Sequence, residues 1–405
     1  MNLVLTEEQV LIRESAAEVL AHQSASADVR RVLERHAGYD AALWQTVAAE
    51  LGWCGLSVPE QAGGAGLGAT ELVLLMEQLG RRLACVPYFG TAVLAAQALA
   101  QCLRDDAASA EAAAEPVRWL ARIAAGETRA ALALAHTMPF EAGNADGSPI
   151  VACKTADGYR LNGTLNAVLD GVMADLLIVP ARDGDELLLI AVETTLAGVA
   201  RTPLSTLDAT RPFACIELDN VSVVRAACIA RGNTVRHALT HTAWFAALAL
   251  AAEELGGAQQ CLDLTLAYTS ERVQFGRTIA SFQAVKHRCA EMLVAVEAAR
   301  SAVLGAAAAW DAAQGAPVAA QFADIAVAKA SANDALRYCA QEAIQLHGGV
   351  GFTWEYDPQL YFKRAQASGA LFGSTPRLLD WLARHAMDHE SAGLASNKSL
   401  AGAYA

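Results

Sequence analysis

Glu271-Arg272-Val273-Gln274-Phe275-Gly276-Arg277, continuing as Thr278-Ile279-Ala280-Ser281-Phe282-Gln283-Ala284-Val285-Lys286-His287, decides how the whole chain is read. It follows a long Ala-rich apolar run and precedes a second helical pattern from Arg288 to Leu304. A break holding glycine, two arginines and paired Phe-Gln between two long helices is poor core material. It suits a bulky, planar, anionic ligand. The Arg272 guanidinium can present forked donors to a pyrophosphate. Phe275 and Phe282 offer flat apolar faces to an aromatic ring. On residue types and spacing alone, an interhelix turn with capping arginines fits as well.

A second stretch, Gln341-Glu342-Ala343-Ile344-Gln345-Leu346-His347-Gly348-Gly349-Val350-Gly351-Phe352, lies about 70 residues later. The two together resemble the paired signatures of the acyl-CoA dehydrogenase flavoproteins. Leu51-Gly52-Trp53 and Val58-Pro59-Glu60-Gln61-Ala62-Gly63-Gly64-Ala65-Gly66 are also at home in that family. The resemblance covers nearly the whole chain. It implies an α+β multidomain fold: an N-terminal helical domain, a middle β-sandwich or barrel domain and a C-terminal four-helix bundle around FAD. It also implies that the Arg-x-Gln-Phe-Gly segment reaches FAD across a subunit interface, while Gln-x-His-Gly-Gly lays backbone N–H groups on the same cofactor. The cofactor-binding candidates carried over are Arg272, Gln274, Phe275, Phe282, Gln283, Gln345, Gly348, Gly349 and Ser374.

Size and composition agree with a large enzyme. At 405 residues, two or three domains are expected. The hydrophobic fraction of 54% against 18% charged allows large cores and apolar surface to spare between subunits. The richest apolar run, Ala243 to Ala252, stops at Glu253-Glu254, so no membrane span is expected. The N-terminus, with Thr6 before Glu7-Glu8-Gln9, reads as a capped helix and not as a signal peptide. A net charge of −13 argues against nucleic acid as a partner but leaves room for one anionic ligand held by local arginines. The 9 scattered Cys show no Cys-x-x-Cys and suggest a reducing cytoplasm.

Along the chain, residues 1–128 read as a helical domain, with helical spacing after Thr6 from Glu7 to Leu20 and again from Leu72 to Leu79. Gly64-Ala65-Gly66-Leu67-Gly68-Ala69 mimics a dinucleotide-binding motif, but no strand precedes it, so an interhelix loop is expected. From 129 to 232, short apolar runs alternate with Asp157-Gly158, Asn162-Gly163 and Asp183-Gly184, which signal hairpins and a β domain. Long helices return over 233–388, where Val235 to Arg272 could hold one or two. His237 and His241 are four apart, but no third metal ligand is evident, and no metal is expected. The small polar segment 389–405 reads as a mobile tail.

The chemistry that the resemblance implies needs a carboxylate opposite the flavin, to take the proton from the carbon next to an acyl-CoA thioester. In the common pattern it is the Glu of a Glu-Gly-Thr segment. The matching segment here is Leu371-Phe372-Gly373-Ser374-Thr375, so Phe372 occupies the position. In a second pattern the Glu lies upstream of Arg272, at about Ala246, and Thr242 to Leu250 holds no carboxylate. Glu253 is the remaining candidate base. The β domain departs as well. Ala135-His136-Thr137-Met138-Pro139 stands for a usual Thr-Glu-Pro stretch, and Asn166-Ala167-Val168-Leu169-Asp170 for the usual flavin wall. These departures resemble the base-lacking chain of heteromeric α2β2 acyl-CoA dehydrogenases that trim steroid side chains. In that arrangement one chain carries base and flavin ring, and the other lends its arginine and glycine segments. The expected partners are an acyl-CoA substrate, a homo- or hetero-oligomer (dimer or tetramer), and electron-transfer flavoprotein or a similar acceptor. A monooxygenase-like flavoprotein or a non-catalytic scaffold of the same fold are the alternatives.

Overall fold

The computed structural model describes residues 4–35, 38–104, 110–134, 139–141, 148–313 and 319–387. The segment Ala135-His136-Thr137-Met138 and the tail from 389 lie outside the described residues.

The N-terminal part is helical. α1 (Glu7–Gln23) begins at a capping box in which Thr6 and Gln9 satisfy each other's backbone N–H groups. α2 (Ser26–Arg35) and α3 (Ala41–Trp44) follow. The Gly-rich stretch is a loop, as its context requires, and α4 (Ala69–Arg81) starts directly after it. α5 (Ala96–Cys102) continues a π-helical stretch, Phe89–Ala95, and α6 (Ala110–Ala124) closes the domain.

A mixed sheet then runs from β1 (Ala130–Leu132) through β2 (Val151–Lys154), β3 (Gly158–Leu169), β4 (Leu176–Asp183), β5 (Glu186–Glu193), β6 (Val199–Leu204) and β7 (Phe213–Val224) to β8 (Cys228–Arg231). Its order is β6-β7-β3-β2-β4-β5-β8, with β1 parallel to β4. The sheet folds over its own core, where Leu161 and Ile216 of one part join Leu177, Val179 and Ile190 of the other. Asp183-Gly184 makes the tight β4–β5 turn, with Gly184 at φ 61°. Asn162-Gly163, expected as a turn, is instead a bulge inside β3. Gly163 sits at φ 137°, and the Asn162 side-chain oxygen accepts from the Asn220 N–H, so the strand bends without reversing.

The C-terminal part is built on α7 (Gly232–Glu271), a single helix of 40 residues. It packs against α8 (Gln283–Ala312), α9 (Ala319–His347) and α10 (Pro358–Ser368), and a final helical stretch covers 375–387. α8 is long and apolar enough to cross a membrane, but here it packs against α7 and α9. Where α7 meets α4, a Cβ at Gly256 would stand 1.9 Å from the Glu77 carbonyl, and one at Gly80 would stand 2.0 Å from the Glu253 carbonyl. Only glycine permits backbones to approach that closely. This contact pulls Glu253 against the N-terminal domain.

Candidate functional site

The expected site residues fall into two places. The first is the end of the bundle. α7 stops at Glu271, and the chain turns through a small hairpin, β9 (Val273–Gln274) with β10 (Arg277–Thr278), before α8. Phe275 tops this hairpin at φ 52°, a left-handed conformation costly for a side chain this size. It is 91% exposed, and it meets Phe282 edge-to-face at 6.1 Å. The Arg277 guanidinium lies over the Phe282 ring at 4.0 Å. Arg272, Gln274 and Gln283 are exposed. The Arg272 guanidinium has no side-chain hydrogen bond or ion pair among the described residues.

α9 ends beside this hairpin. The His347 ring stacks on Tyr268 of α7 at 4.3 Å. Gly348, at φ 64°, turns the chain out of the helix. Nothing lies within 4 Å of a Cβ built on Gly348 or Gly349, and both glycines and Gln345 are exposed. An uncommitted guanidinium, flat apolar faces and an open glycine turn fit the phosphates and rings of FAD. Eight of the nine candidates share this end of the bundle.

Ser374 lies elsewhere. It follows Phe372 and Gly373, and the Gly373 carbonyl accepts from the Asn333 side chain at 3.1 Å. Asn333 lies roughly 20 Å back along α9 from His347, at 1.5 Å per residue. This second place is the buried pocket between the three parts of the chain. Phe372 is fully buried, at φ 51°, and packs on Phe89 with ring centroids 6.0 Å apart. Ala246 is buried within α7. Glu253 is not a free carboxylate: Arg211 donates to both of its oxygens, and Arg364 donates to one. Arg364 also donates to Asp208 at 2.5 Å and to the Thr210 hydroxyl at 2.6 Å. Burial alone would lower Arg364, but Asp208 and Glu253 outweigh it and hold the guanidinium charged. Burial alone would raise Asp208, but Arg364 and the Thr210 hydroxyl keep its carboxyl low.

A second buried pair backs the first. Lys329 donates to both Glu254 oxygens, at 3.0 and 3.2 Å, and to Asn333. Burial pushes Glu254 up and Lys329 down, against their mutual attraction. The expected flavin wall is also reshaped. Ala167 and Asp170 both take φ 58°, and Asp170 turns inward to accept from the Gly90 N–H at 2.9 Å. Burial raises its carboxyl to about 7, partly offset by that N–H and by Arg211. The space left is a cavity of about 30 Å³ lined by Met76, Tyr88, Phe89, Asp170, Arg211 and Glu253 among others. That holds a water or two, and neither a flavin ring nor a thioester fits it. Sequence reading had no sign of Arg211, Arg364 or Lys329. Lys329 alone stands out, a single charge among small residues of α9, and single-sequence reasoning assigns such a charge to the surface.

The two histidines weighed as a metal pair part company. His237 is exposed, while His241 is mostly buried against Trp310 at 4.5 Å, with neither ring nitrogen hydrogen-bonded among the described residues.

Comparison with known proteins bears on the fold and the family. The family model described as acyl-CoA dehydrogenase, N-terminal domain, matches residues 6–127, and that of the C-terminal domain matches 236–387. Acyl-CoA dehydrogenase IpdE2 of Mycolicibacterium smegmatis is 33% identical over 91% of this chain and 96% of its own length. The ChsE4-ChsE5 complex of Mycobacterium tuberculosis is similar in structure, at a TM-score of 0.81 and 27% identity, over 96% of this chain and 99% of that one. So is a variant of the Tcur3481-Tcur3483 steroid ACAD, at 0.76 and 29%, over 95% and 99%. With both domains matched and a relative aligned almost end to end, the chain belongs to the acyl-CoA dehydrogenase family, the FAD-dependent oxidoreductases that act on the CH–CH bond of an acyl-CoA thioester.

Proposed function

We propose that this chain is the base-lacking subunit of a heteromeric acyl-CoA dehydrogenase. The observation that carries the reading is the contrast between a filled pocket and an open bundle end. Phe372 and the Arg211–Glu253–Arg364 cluster occupy the place where this chain would have to hold an acyl chain and a base. Glu253 is consumed as the counter-ion of two arginines and is not the general base. Arg272, Phe275, Phe282, Gln345, Gly348 and Gly349 stay available for a flavin seated on a homologous partner that brings its own Glu. FAD, when bound there, takes up the hydride from the acyl chain; the part of this chain is to hold its phosphates and adenine side.

The similarity to two-chain structures, one named as a steroid ACAD, supports a hetero-oligomer and favours acyl-CoA thioesters with steroid side chains as substrates. An electron-transfer flavoprotein or similar protein is the acceptor in this reading. The 9 scattered cysteines, with no Cys-x-x-Cys, are in keeping with a reducing cytoplasm.

The test is expression alone and with a homologous chain that carries the Glu-Gly-Thr segment. The expected outcome is a yellow complex that reduces a dye with acyl-CoA, against no turnover by this chain alone. Phe372→Glu should not awaken the lone chain. Robust turnover by the unmodified homomer, lost on Glu253→Gln in protein that still folds, defeats the proposal.

A further inference from the structure

The arginine hairpin and the glycine turn come from different helices, yet one cofactor has to meet both. A three-ring cluster joins them. Tyr268, in the last turn of α7, stacks on His347, in the last turn of α9, at 4.3 Å and an interplanar angle of 20°. Tyr356 stands edge-on to both, 6.0 Å from each. Two of the rings are tied to the binding segments. The Tyr268 carbonyl accepts from the Arg272 N–H at 2.9 Å, and the Arg272 carbonyl in turn accepts from Ile279, which closes the hairpin. His347 immediately precedes Gly348. Its Nδ1 is 2.6 Å from the Ala343 carbonyl. A carbonyl can only accept, so Nδ1 carries the proton and the ring orientation is fixed.

The third ring is held from outside the bundle. The loop that presents Tyr356 is clamped by α2 of the N-terminal domain. Arg30 donates to Asp357 at 2.5 Å and to the Trp354 carbonyl, and Ser26 donates to Asp357 at 2.6 Å. The Trp354 ring has Arg30 at 5.1 Å and Lys363 at 5.7 Å from its centroid. The loop is thus not a loose connector after the glycine turn.

We infer that Tyr268, His347 and Tyr356, with Arg30 and Asp357 behind them, are positioning residues that set the distance between Arg272 and the Gly348-Gly349 turn so that both engage one diphosphate. This rests on the reading that the bundle end carries FAD. None of the three rings needs to touch the cofactor. Flat rings in van der Waals contact resist both sliding and separation, so the stack works as a spacer.

The experiment is FAD titration of the purified protein, in the oligomer it forms alone and in the co-expressed complex. Tyr268→Ala should weaken FAD binding about three- to tenfold, the range an aromatic pair supports. Tyr268→Phe keeps the stack and should stay within about twofold of the parent. The melting temperature should fall by at most a few degrees in Tyr268→Ala and stay unchanged in Tyr268→Phe, because Tyr268 is half-buried at a helix end. Tyr356→Ala serves as the independent variant if Tyr268→Ala does not fold, with the same direction and a smaller loss. If Arg272→Ala weakens FAD tenfold while Tyr268→Ala and Tyr356→Ala leave it unchanged, the spacer is overturned and the cofactor reading stands. If neither assembly binds FAD, both are overturned.

Discussion

At Glu253, α7 carries a carboxylate shut away from water and held by two guanidiniums. At the end of the same helix, roughly 27 Å further along, Arg272 faces water and holds no side-chain partner among the described residues. The inner charges are strong because they are committed: each meets its complement inside a low-dielectric core, and no ligand could displace one without stranding the other. The outer charge is weakly stabilised and for that reason still usable. A chain that folds by itself but contributes to a site only in an assembly needs both kinds. It keeps its interior finished and its binding groups unfinished.

The largest effect is expected from breaking the inner cluster. Glu253→Gln leaves Arg211 and Arg364 buried without their shared carboxylate, and should cost about 3–5 kcal/mol in urea unfolding. A loss below about 1 kcal/mol would mean that water already reaches the cluster. Arg272→Ala makes the opposite case. It should leave unfolding within about 0.5 kcal/mol. It should weaken FAD binding at least about tenfold, as removal of a charged hydrogen bond costs about 1.5–3 kcal/mol. Calorimetry that finds unchanged affinity would remove Arg272 from the site.

A third residue shows what burial does without a partner. Burial lowers His241 from 6.5 to about 3, helped by the nearby Arg104. The folded value lies below the unfolded one, so below pH 6.5 the unfolded chain binds a proton that the folded chain does not. Stability is therefore whole above that pH and falls as pH drops toward 3, at about 1.4 kcal/mol per unit. His241→Phe keeps a ring against Trp310 and should recover about 2 kcal/mol at about pH 5 and little at about pH 7.5. An acid limb unaltered by this substitution would assign the proton uptake elsewhere. The smallest effect belongs to Phe275. Phe275→Asn should raise stability by about 0.5–1 kcal/mol, since Asn tolerates a positive φ better than Phe, while FAD affinity falls. Denaturant midpoints measured beside FAD titrations check both halves, and a variant that gains stability without losing affinity would leave the exposed ring unexplained.

The same contrast separates what the sequence made legible from what it did not. The bundle end was readable because its residues are adjacent in the chain and chemically odd for their place: Arg272, Phe275 and Gly276 interrupt an apolar helix pattern. Helix starts such as Thr6 and the Asp183-Gly184 hairpin are local in the same way. The inner cluster joins Asp208 and Arg211 of a loop, Glu253 of α7 and Arg364 of α10, up to 156 residues apart. No local pattern links them. Asn162-Gly163 misled for a related reason: the dipeptide reports that the backbone bends, and only pairing with β7 decides between bend and turn. The absence of a base at Phe372 was visible, but what fills the space was not.

Phe372 bears on how this subunit could ever change its role. Its backbone keeps a left-handed φ of 51° although glycine or asparagine would hold it more cheaply, and its ring packs on Phe89, which lines the pocket. A single mutation to Glu there would bury a new carboxylate behind Phe89, whose other neighbours include Glu253 and Asp170 around a cavity of a water or two, with both arginines spoken for. Regaining independent catalysis would require emptying the cluster and installing the base together, because either step alone leaves a charge stranded. The pocket thus acts as a ratchet on descent: once filled, it makes dependence on a partner subunit hard to reverse by the one-step paths open to selection.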